Sequence, residues 1–252
     1  MVSSERINSY RPRTVAIVQA RMGSTRLPGK VLKDLEGEPL IARVIDRLRR
    51  ADTIDRIVVA TTNKPEDDAI VDLCHNRGWD WFRGCETDVL DRYYRAALAF
   101  GADVVVRITS DCPLIDPTVV DVVVRQFHLK GDVDYVTNTL PPRTFPRGFD
   151  VEVLAFDALK RAWTDATDPS DREHVTPYIY KHPDIFRLHG HYNRIDLSYI
   201  RLTVDTEEDL ALVRNIYAFF KNDSFTCRQL LAAFSLHPGW FAINRNIHQK
   251  VV

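Results

Sequence analysis

Short apolar runs alternate with amphipathic segments of helical period over the first half of the chain. The apolar runs lie at 15–18, 56–60 and 104–108, and the helical segments lie at 40–50, 67–77 and 88–100. This alternation predicts a parallel β-sheet whose strands are connected by helices. Because parallel sheets bind ligands beyond the carboxyl ends of their strands, the residues that directly follow each run are the candidates for a functional site.

The pattern becomes less regular in the second half of the chain. Residues 137–147 are rich in Pro, Thr and Arg, and we expect 138–200 to form an inserted lobe over the mouth of the sheet. The apolar run 200–204 predicts a strand that returns to the core, and 207–220 has a helical period. We therefore predict a flexible N-terminus at 1–13, one main domain at 14–220 that includes the lobe, and a C-terminal helix and tail at 221–252.

Composition narrows the class of protein. The 34 Lys and Arg residues against 35 Asp and Glu give a formal net charge of −1, which argues against a general affinity for nucleic acids or anionic membranes. The four cysteines form no Cys-x-x-Cys pair, and no apolar stretch has the length of a signal peptide or a membrane span. We expect a soluble cytoplasmic protein in which any anion site is local.

The loop after the first predicted strand has the composition of an anion site. Its sequence at 21–30 is Arg-Met-Gly-Ser-Thr-Arg-Leu-Pro-Gly-Lys, in which Gly23 and Gly29 let the backbone approach a ligand and turn peptide N–H groups toward it. Arg21, Arg26 and Lys30 add positive charge. A solvated basic turn between a strand and a helix is the simpler alternative.

The same loop differs from the P-loop of ATPases. A P-loop has four residues between its glycines, and its lysine is followed by a Ser or Thr that reaches magnesium. Here five residues separate Gly23 from Gly29, and Val31 follows Lys30. A metal ion that accompanies a bound polyphosphate must therefore be held elsewhere in the chain.

Asp111 is a candidate ligand for that metal. It lies just after the predicted strand 104–108, beside Ser110, whereas Asp116 precedes Pro117 and is explained as a helix N-cap. A carboxylate at a strand exit next to a phosphate-binding loop suits Mg²⁺, which binds one or two carboxylates together with phosphate oxygens and water.

Asp205 is the second candidate, and it has a competing explanation. It can cap the helix at 207–220 with Glu208 three residues later, which would be a capping box. Thr206 and Asp209 offer nearly the same cap one residue further on, and that cap would leave Asp205 free to bind metal.

Four residues of the predicted lobe are candidates for binding a second substrate. Alternation along 149–153 predicts a strand with Asp150 and Glu152 on one face, where they contact either water or the hydroxyl groups of an acceptor. Arg172 and His174 lie at a predicted helix start and are candidates for binding an anionic acceptor group.

Further polar residues at strand exits are candidates for contact with a nucleobase. Thr61, Thr62 and Asn63 follow the second strand, and Asp88 can either accept from an exocyclic amine or simply cap the next helix. The complete nucleotide-binding prediction comprises Ala20, Arg21, Met22, Gly23, Ser24, Thr25, Arg26, Lys30, Thr61, Thr62, Asn63, Asp88, Arg92 and Ser110.

Five motifs occur in one order along 14–220, and together they resemble the cytidylyltransferase family. The motifs are Arg-Met-Gly-Ser-Thr-Arg-Leu-Pro-Gly-Lys at 21–30, Thr-Ser-Asp-Cys-Pro-Leu at 109–114, Gly-Phe-Asp-Val-Glu-Val at 148–153, Arg-Glu-His-Val-Thr-Pro at 172–177 and Val-Asp-Thr-Glu-Glu-Asp at 204–209. That family includes the CMP-Kdo and CMP-sialate synthetases and the SpsF-like proteins of spore-coat polysaccharide biosynthesis, to which the motifs at 148–153 and 172–177 are most similar.

The resemblance implies a Rossmann-like three-layer αβα nucleotidyltransferase fold with a mostly parallel sheet. It implies that loop 21–30 wraps a triphosphate, that Asp111 and Asp205 hold Mg²⁺ or Mn²⁺, and that the chain forms a homodimer partly through the lobe. The expected substrates are CTP and a small anionic acceptor, and Arg21, Lys30, Asp111 and Asp205 form the expected catalytic set. The further signature that acidic-sugar synthetases carry around their acceptor is not matched here.

Two other functions remain open at this point. A sugar-nucleotide glycosyltransferase, or another enzyme that uses a nucleoside triphosphate, can be built on a similar sheet. A non-catalytic regulator would bind the nucleotide without depending on metal, and the two aspartates at strand exits argue against it.

Overall fold

The computed structural model describes residues 11–249, so most of the predicted flexible segment 1–13 lies outside the described residues. The strands are β1 Thr14–Gln19, β2 Asp34–Leu35, β3 Glu38–Pro39, β4 Arg56–Thr62, β5 Asp80–Gly84, β6 Val104–Thr109, β7 Tyr135–Thr137, β8 Glu152–Ala155 and β9 Leu188–Gly190. The α-helices are α1 Leu40–Leu48, α2 Asp68–Arg77, α3 Val89–Ala99, α4 Pro117–Lys130, α5 Phe156–Asp165, α6 Pro169–His174, α7 Pro177–Lys181, α8 Glu207–Phe220, α9 Cys227–Leu236 and α10 Trp240–Ile243.

The central sheet has the strand order β5-β4-β1-β6-β8-β7-β9. Strands β5, β4, β1 and β6 are mutually parallel, and β8 runs antiparallel to both of its neighbours, β6 and β7. The predicted mostly parallel sheet is therefore confirmed. Because β1 lies between β4 and β6, the loops that leave the carboxyl ends of these three strands meet at one edge of the sheet.

Helices cover both faces of this sheet. Along β1, Ala16 and Val18 pack in a core with residues of α1, α4 and α8, whereas Val15 and Ile17 pack in a second core with residues of α3 and α5. Successive strand residues point to opposite faces, so one short apolar run supplies both cores. The αβα three-layer architecture predicted from the family resemblance is confirmed.

The structure corrects the strand predicted at 200–204. These residues form only an isolated bridge between Arg147 and Arg201, because the segment divides its hydrogen bonds between two partners. Leu202 N–H donates to the carbonyl of Arg147 at 2.8 Å, and Val204 N–H donates to the carbonyl of Asp111 at 2.8 Å. The segment is nevertheless buried, and it places Asp205 next to the exit of β6.

Gly148 makes this crossing possible. Its φ is 101°, and a Cβ atom there would lie 2.7 Å from the backbone of Leu202 and Thr203. Only glycine combines that backbone conformation with so close an approach. The strand predicted at 149–153 correspondingly starts only at Glu152, so Asp150 lies before β8 rather than on it.

Within residues 11–249, no helix combines the length and the apolar character needed to cross a bilayer.

Candidate functional site

Loop 20–30, which is loop 21–30 together with Ala20, is held in a closed conformation by its own backbone. The carbonyl of Met22 accepts hydrogen bonds from the N–H groups of Ser24 at 2.8 Å and Gly29 at 2.9 Å, and Gly29 adopts a φ of 66°. Leu27 is buried beneath the loop and anchors it to the core. The positive φ explains one of the two glycines that the sequence analysis singled out.

A carboxylate that the sequence analysis did not select joins the loop to the end of β4. Asp67 accepts from the N–H of Met22 at 2.7 Å, and its second oxygen accepts from the hydroxyl of Thr62. Asp67 is 2% exposed, so both contacts are shielded from water. Asp67 is the first residue of the predicted helical segment 67–77, and only the fold shows that it fixes the loop.

Several peptide groups of the loop remain available to a ligand. Within residues 11–249, the backbone N–H groups of Gly23, Thr25 and Arg26 donate to no other protein atom. Unpaired N–H groups clustered in one turn are a common way of binding oxyanions. The loop therefore has the donors that a phosphate group requires.

Lys30 brings together the two aspartates proposed as metal ligands. Its Nζ lies 2.9 Å from Oδ2 of Asp111 and 2.8 Å from Oδ1 of Asp205, and it also donates to the carbonyl of Val204 at 2.9 Å. Burial of Lys30 favours the neutral amine, but the two carboxylates outweigh it and raise its pKa. The ammonium ion thus offsets the repulsion between two acidic groups that share one site.

Asp111 is held in its ionised form. Burial opposes ionisation of the carboxyl, but the charge of Lys30 and a hydrogen bond from Thr109 lower its pKa to about 2. The Thr109 hydroxyl donates to Oδ1 at 2.6 Å. Asp116, in contrast, accepts from the N–H of Thr118 at 2.8 Å and caps α4, as predicted.

The structure decides between the two explanations for Asp205. Thr206 is the N-cap of α8, and Asp209 completes the capping box, so Asp205 is not needed as a cap. Its Oδ2 instead lies 2.8 Å from Arg26 and 2.8 Å from Arg201. The cap through Glu208 is therefore wrong, and Asp205 faces the site.

One cavity of about 310 Å³ connects these groups. It lies over the carboxyl ends of β1 and β6, between loop 20–30 and α6. The predicted residues that line it are Ala20, Arg21, Ser24, Thr25, Arg26, Lys30, Arg92, Ser110, Asp111, His174 and Asp205, and they are joined by the unpredicted Gln19, Val31, Val89, Thr109 and Glu173.

Other predicted nucleotide contacts do not line this cavity. Thr61 is fully buried, and the hydroxyl of Thr62 is taken by Asp67. Asp88 caps α3 by accepting from the N–H of Asp91 at 2.9 Å, which is the alternative left open for it. Met22, Gly23 and Asn63 also lie outside the lining residues.

Two of the predicted acceptor residues have other partners. The carboxylate of Glu152 contacts the guanidinium of Arg107 and accepts from the Tyr135 hydroxyl at 2.6 Å, in a buried position between β6, β8 and β7. Arg172 lies 2.8 Å from Asp88 and donates to two backbone carbonyls. These contacts make both side chains part of the framework, which a strand pattern or a helix start does not reveal.

The other two predicted acceptor residues differ from each other. Asp150 forms a two-bond pair with Arg143, with distances of 2.6 and 3.1 Å. His174 lines the cavity, and burial together with the nearby cations Arg107, Lys181 and Arg21 lowers its pKa despite the opposing charge of Glu173, which favours the neutral imidazole.

The donor set at Lys30 suits a hard divalent cation. Within the described residues no group of three or more His, Cys, Asp and Glu side chains could hold a metal ion by itself. Two carboxylates that lie close together beside a phosphate-binding loop suit Mg²⁺, which completes its coordination shell with phosphate oxygens and water. The residues therefore fit a metal that binds together with a nucleotide.

The sheet, loop 20–30 and the two aspartates that meet at Lys30 are the features of a nucleotidyltransferase. The sequence pattern of the cytidylyltransferase family matches residues 15–228, and the chain belongs to that family. This confirms the resemblance derived from the five motifs.

Two curated relatives match along most of their lengths. MJ1063 of Methanocaldococcus jannaschii is 40% identical over 94% of this chain and 96% of its own. The spore coat polysaccharide biosynthesis protein SpsF of Bacillus subtilis is 35% identical over 80% of this chain and 85% of its own.

Solved structures agree with the fold. A cytidylyltransferase from Leptospira borgpetersenii superposes with a TM-score of 0.88 at 31% identity, covering 96% of this chain and 100% of its own. CMP:2-keto-3-deoxy-manno-octonic acid synthetase in complex with CTP superposes with a TM-score of 0.62 at 19% identity, covering 82% and 98% of the two chains. The second likeness concerns the fold alone.

Proposed function

We propose that this protein transfers CMP from CTP to a small anionic acceptor, with an acidic sugar as the first choice, and releases pyrophosphate. The convergence of loop 20–30, Asp111 and Asp205 on one cavity of about 310 Å³ carries this proposal. Family membership and the CTP bound to the CMP-Kdo synthetase structure support the choice of nucleotide. The likeness to SpsF supports a role in polysaccharide biosynthesis.

The reaction is a displacement at the α-phosphorus. A hydroxyl oxygen of the acceptor forms a new bond to phosphorus as the bond to the pyrophosphate oxygen breaks, and the hydroxyl proton is released to water. The free N–H groups of Thr25 and Arg26, which line the cavity, bind the phosphate oxygens, and Arg21, Arg26 and Lys30 offset the charge that develops on pyrophosphate. Because these donors are already fixed in place, they need no reorganisation during the reaction.

Asp111 and Asp205 are the proposed ligands for Mg²⁺ or Mn²⁺. A bound divalent ion supplies positive charge to the phosphate oxygens. The solved structure of Rv0371c from Mycobacterium tuberculosis in complex with manganese shows that a protein with a similar fold binds such an ion.

The acceptor binds on the side of the cavity formed by α6. His174, which lines the cavity, is the residue proposed to contact it. Asp150 is a second candidate, and it lies two residues before Glu152, the partner of Arg107 in the pairing of β8 with β6. A neutral imidazole can donate to or accept from a hydroxyl group, which suits a sugar. Glu152 and Arg172 are left out of this set because Glu152 is buried against Arg107 and Arg172 is bonded to Asp88 and to two backbone carbonyls, whereas the Asp150 side chain is still 34% exposed beside Arg143.

We place the enzyme in the cytoplasm and expect a homodimer. All four cysteines are free, which is normal in a reducing compartment. Exposed apolar side chains at Tyr192, Ile195 and Tyr199 provide a surface for a second copy of the chain.

A pyrophosphate-release assay tests the proposal. The purified protein is incubated with each of CTP, UTP, ATP and GTP, in the presence of Mg²⁺ or EDTA, and with a panel of acidic sugars, polyol phosphates and phosphonates. We expect release that requires CTP, metal and one class of acceptor. Transfer from a sugar nucleotide without pyrophosphate would indicate a glycosyltransferase, and CTP binding without any turnover would indicate a regulator.

A further inference from the structure

The C-terminal segment 244–249 lies directly behind the candidate site. The family pattern ends at residue 228, so this segment lies outside the matched region. It follows α10, whose Trp240 is buried against Phe234 of α9. The segment is thereby anchored next to the residues that hold Asp205.

Arg201 and Asp209 fix Asp205 from two sides. The guanidinium of Arg201 donates to Oδ2 of Asp205 at 2.8 Å and to both carboxylate oxygens of Asp209, at 2.8 and 2.9 Å. Asp209 also accepts from the backbone N–H of Asp205 at 3.0 Å. Asp209 is fully buried and Arg201 is 8% exposed, so this ion pair is shielded from water.

Two side chains of the C-terminal segment complete the hydrogen bonding of that pair. The amide of Asn244 donates to Oδ1 of Asp209 at 2.8 Å and to the carbonyl of Arg201 at 3.1 Å. Oε1 of Gln249 accepts from the remaining arm of Arg201 at 2.6 Å. Asn244 is 5% exposed, whereas Gln249 lies at the surface.

We infer that Asn244 and Gln249 are positioning residues for the metal and nucleotide site. They hold the Arg201–Asp209 pair in one geometry, and that pair orients the carboxylate of Asp205. A buried charge network is well ordered only when all its donors and acceptors are hydrogen-bonded. Here the segment 244–249 supplies partners for Arg201 and Asp209. The inference rests on the proposed role of Asp205 as a metal ligand.

A direct metal titration tests this role. Binding of Mn²⁺ to the full-length protein is followed by electron paramagnetic resonance of the free ion, with and without CTP. Mutation of a residue that orients a metal ligand typically lowers metal affinity by about tenfold or more. We therefore expect Asn244→Leu to weaken Mn²⁺ binding about tenfold. Loss of one hydrogen bond in Gln249→Ala should weaken it about threefold.

Two further variants act as controls. Gln249→Glu keeps an oxygen acceptor for Arg201 and should retain wild-type affinity, and His248→Ala changes a neighbouring exposed residue and should have no effect. In the pyrophosphate assay, the metal concentration needed for half-maximal rate should rise by the same factor as the Mn²⁺ dissociation constant. The value of kcat at saturating metal should stay within about twofold of wild type, because the chemistry itself is unchanged.

The possible failures are distinguishable. Thermal unfolding shows whether Asn244→Leu is folded at the assay temperature. If it is unfolded, Gln249→Ala tests the positioning role by itself, since removal of an exposed side chain should leave the protein folded. Wild-type Mn²⁺ affinity in Gln249→Ala, with Asn244→Leu either unchanged or unfolded, would overturn the positioning role and leave the proposed function intact. A wild-type protein that binds Mn²⁺ but releases no pyrophosphate would instead overturn the proposed function.

Discussion

The ammonium group of Lys30 lies within 2.9 Å of both Asp111 and Asp205, the two proposed metal ligands. In this arrangement the lysine neutralises carboxylates that would otherwise repel each other. In the proposed reaction, the oxygens of a bound triphosphate contact the same ammonium group. We therefore propose that Lys30 links the charge of the metal ligands to that of the leaving group.

Removal of this cation should strongly reduce turnover. By analogy with the loss of one preorganised oxyanion donor, Lys30→Ala should lower the rate of pyrophosphate release by about a hundredfold or more. Lys33→Ala is the matched control, since its ammonium lies 3.1 Å from Glu207 at the surface. Near-normal turnover of Lys30→Ala would exclude Lys30 from the mechanism.

Asp111→Asn and Asp205→Asn should each abolish metal-dependent turnover while the protein stays folded. Each change removes a negative charge from the metal ligands and leaves the side-chain volume almost unchanged. The control is Asp116→Ala, which removes a helix cap and should lower the free energy of unfolding by about 1–2 kcal/mol without changing turnover per folded molecule. Urea unfolding and the Mg²⁺ dependence of pyrophosphate release measure the two effects, and wild-type metal dependence would argue against the role of that aspartate.

At the level of single residues, prediction from sequence was limited because each acidic residue has both a structural and a functional explanation. Asp111 and Asp116 both occur near a strand exit, and cap chemistry correctly separated them. Asp88 and Glu152 also matched a functional pattern, but they pair with Arg172 and Arg107 outside the lining of the cavity, whereas Asp111 and Asp205 pair with Lys30 inside it. Which pairs border a cavity depends on the tertiary structure, which a local pattern does not reveal.

At the level of elements, the segment 200–205 is placed by contacts with two separate loops. It bonds to Arg147 on one side and to Asp111 on the other, so no continuous ladder forms. The apolar run predicted a strand because its side chains are buried, as they are in a strand. Whether a strand forms, however, depends on which backbone groups lie next to the segment in the fold. The crossing at Gly148 decides where Asp205 lies.

Gly148→Ala should therefore damage both stability and activity. The added Cβ would lie 2.7 Å from backbone atoms, and the φ of 101° is strained for alanine. We therefore expect the free energy of unfolding to fall by about 3 kcal/mol or more. Turnover should also decrease, because Asp205 is displaced. Gly78→Ala is the control: its φ of 64° and ψ of 36° lie in the left-handed helical region and no atom lies within 4 Å of the added Cβ, so it should cost only about 1–2 kcal/mol. Equal losses in the two variants would show that the close approach is unimportant.

Across the whole molecule, the segment 138–200, which we propose as the dimerisation lobe, carries several exposed apolar side chains. Tyr192, Ile195 and Tyr199 are 45%, 68% and 70% exposed, within a short stretch of the chain. Such side chains are normally covered when they occur together. A two-fold symmetric contact between lobes would cover them in both copies.

Light scattering after size-exclusion chromatography should give the mass of a dimer. Ile195→Asp places a charge in the proposed contact and should shift the protein toward a monomer at the same concentration. Leu129→Asp, at the end of α4, is the control because Leu129 is 78% exposed and lies outside the lobe. A wild-type monomer, or a dimer that persists in Ile195→Asp, would contradict the assignment of this surface.

Local pattern alone was enough to predict the alternating strands and helices of the first half, the parallel sheet and the place of Asp111 after β6, whereas the strand predicted before Asp205 does not form. These features depend on side-chain periodicity and on chemistry within a few neighbouring residues. Tertiary structure alone decided that Lys30 meets carboxylates 81 and 175 residues away, and that Asp67, Glu152 and Arg172 belong to the framework. The reason is physical: the availability of a charged group is set by partners that folding brings together from distant parts of the chain.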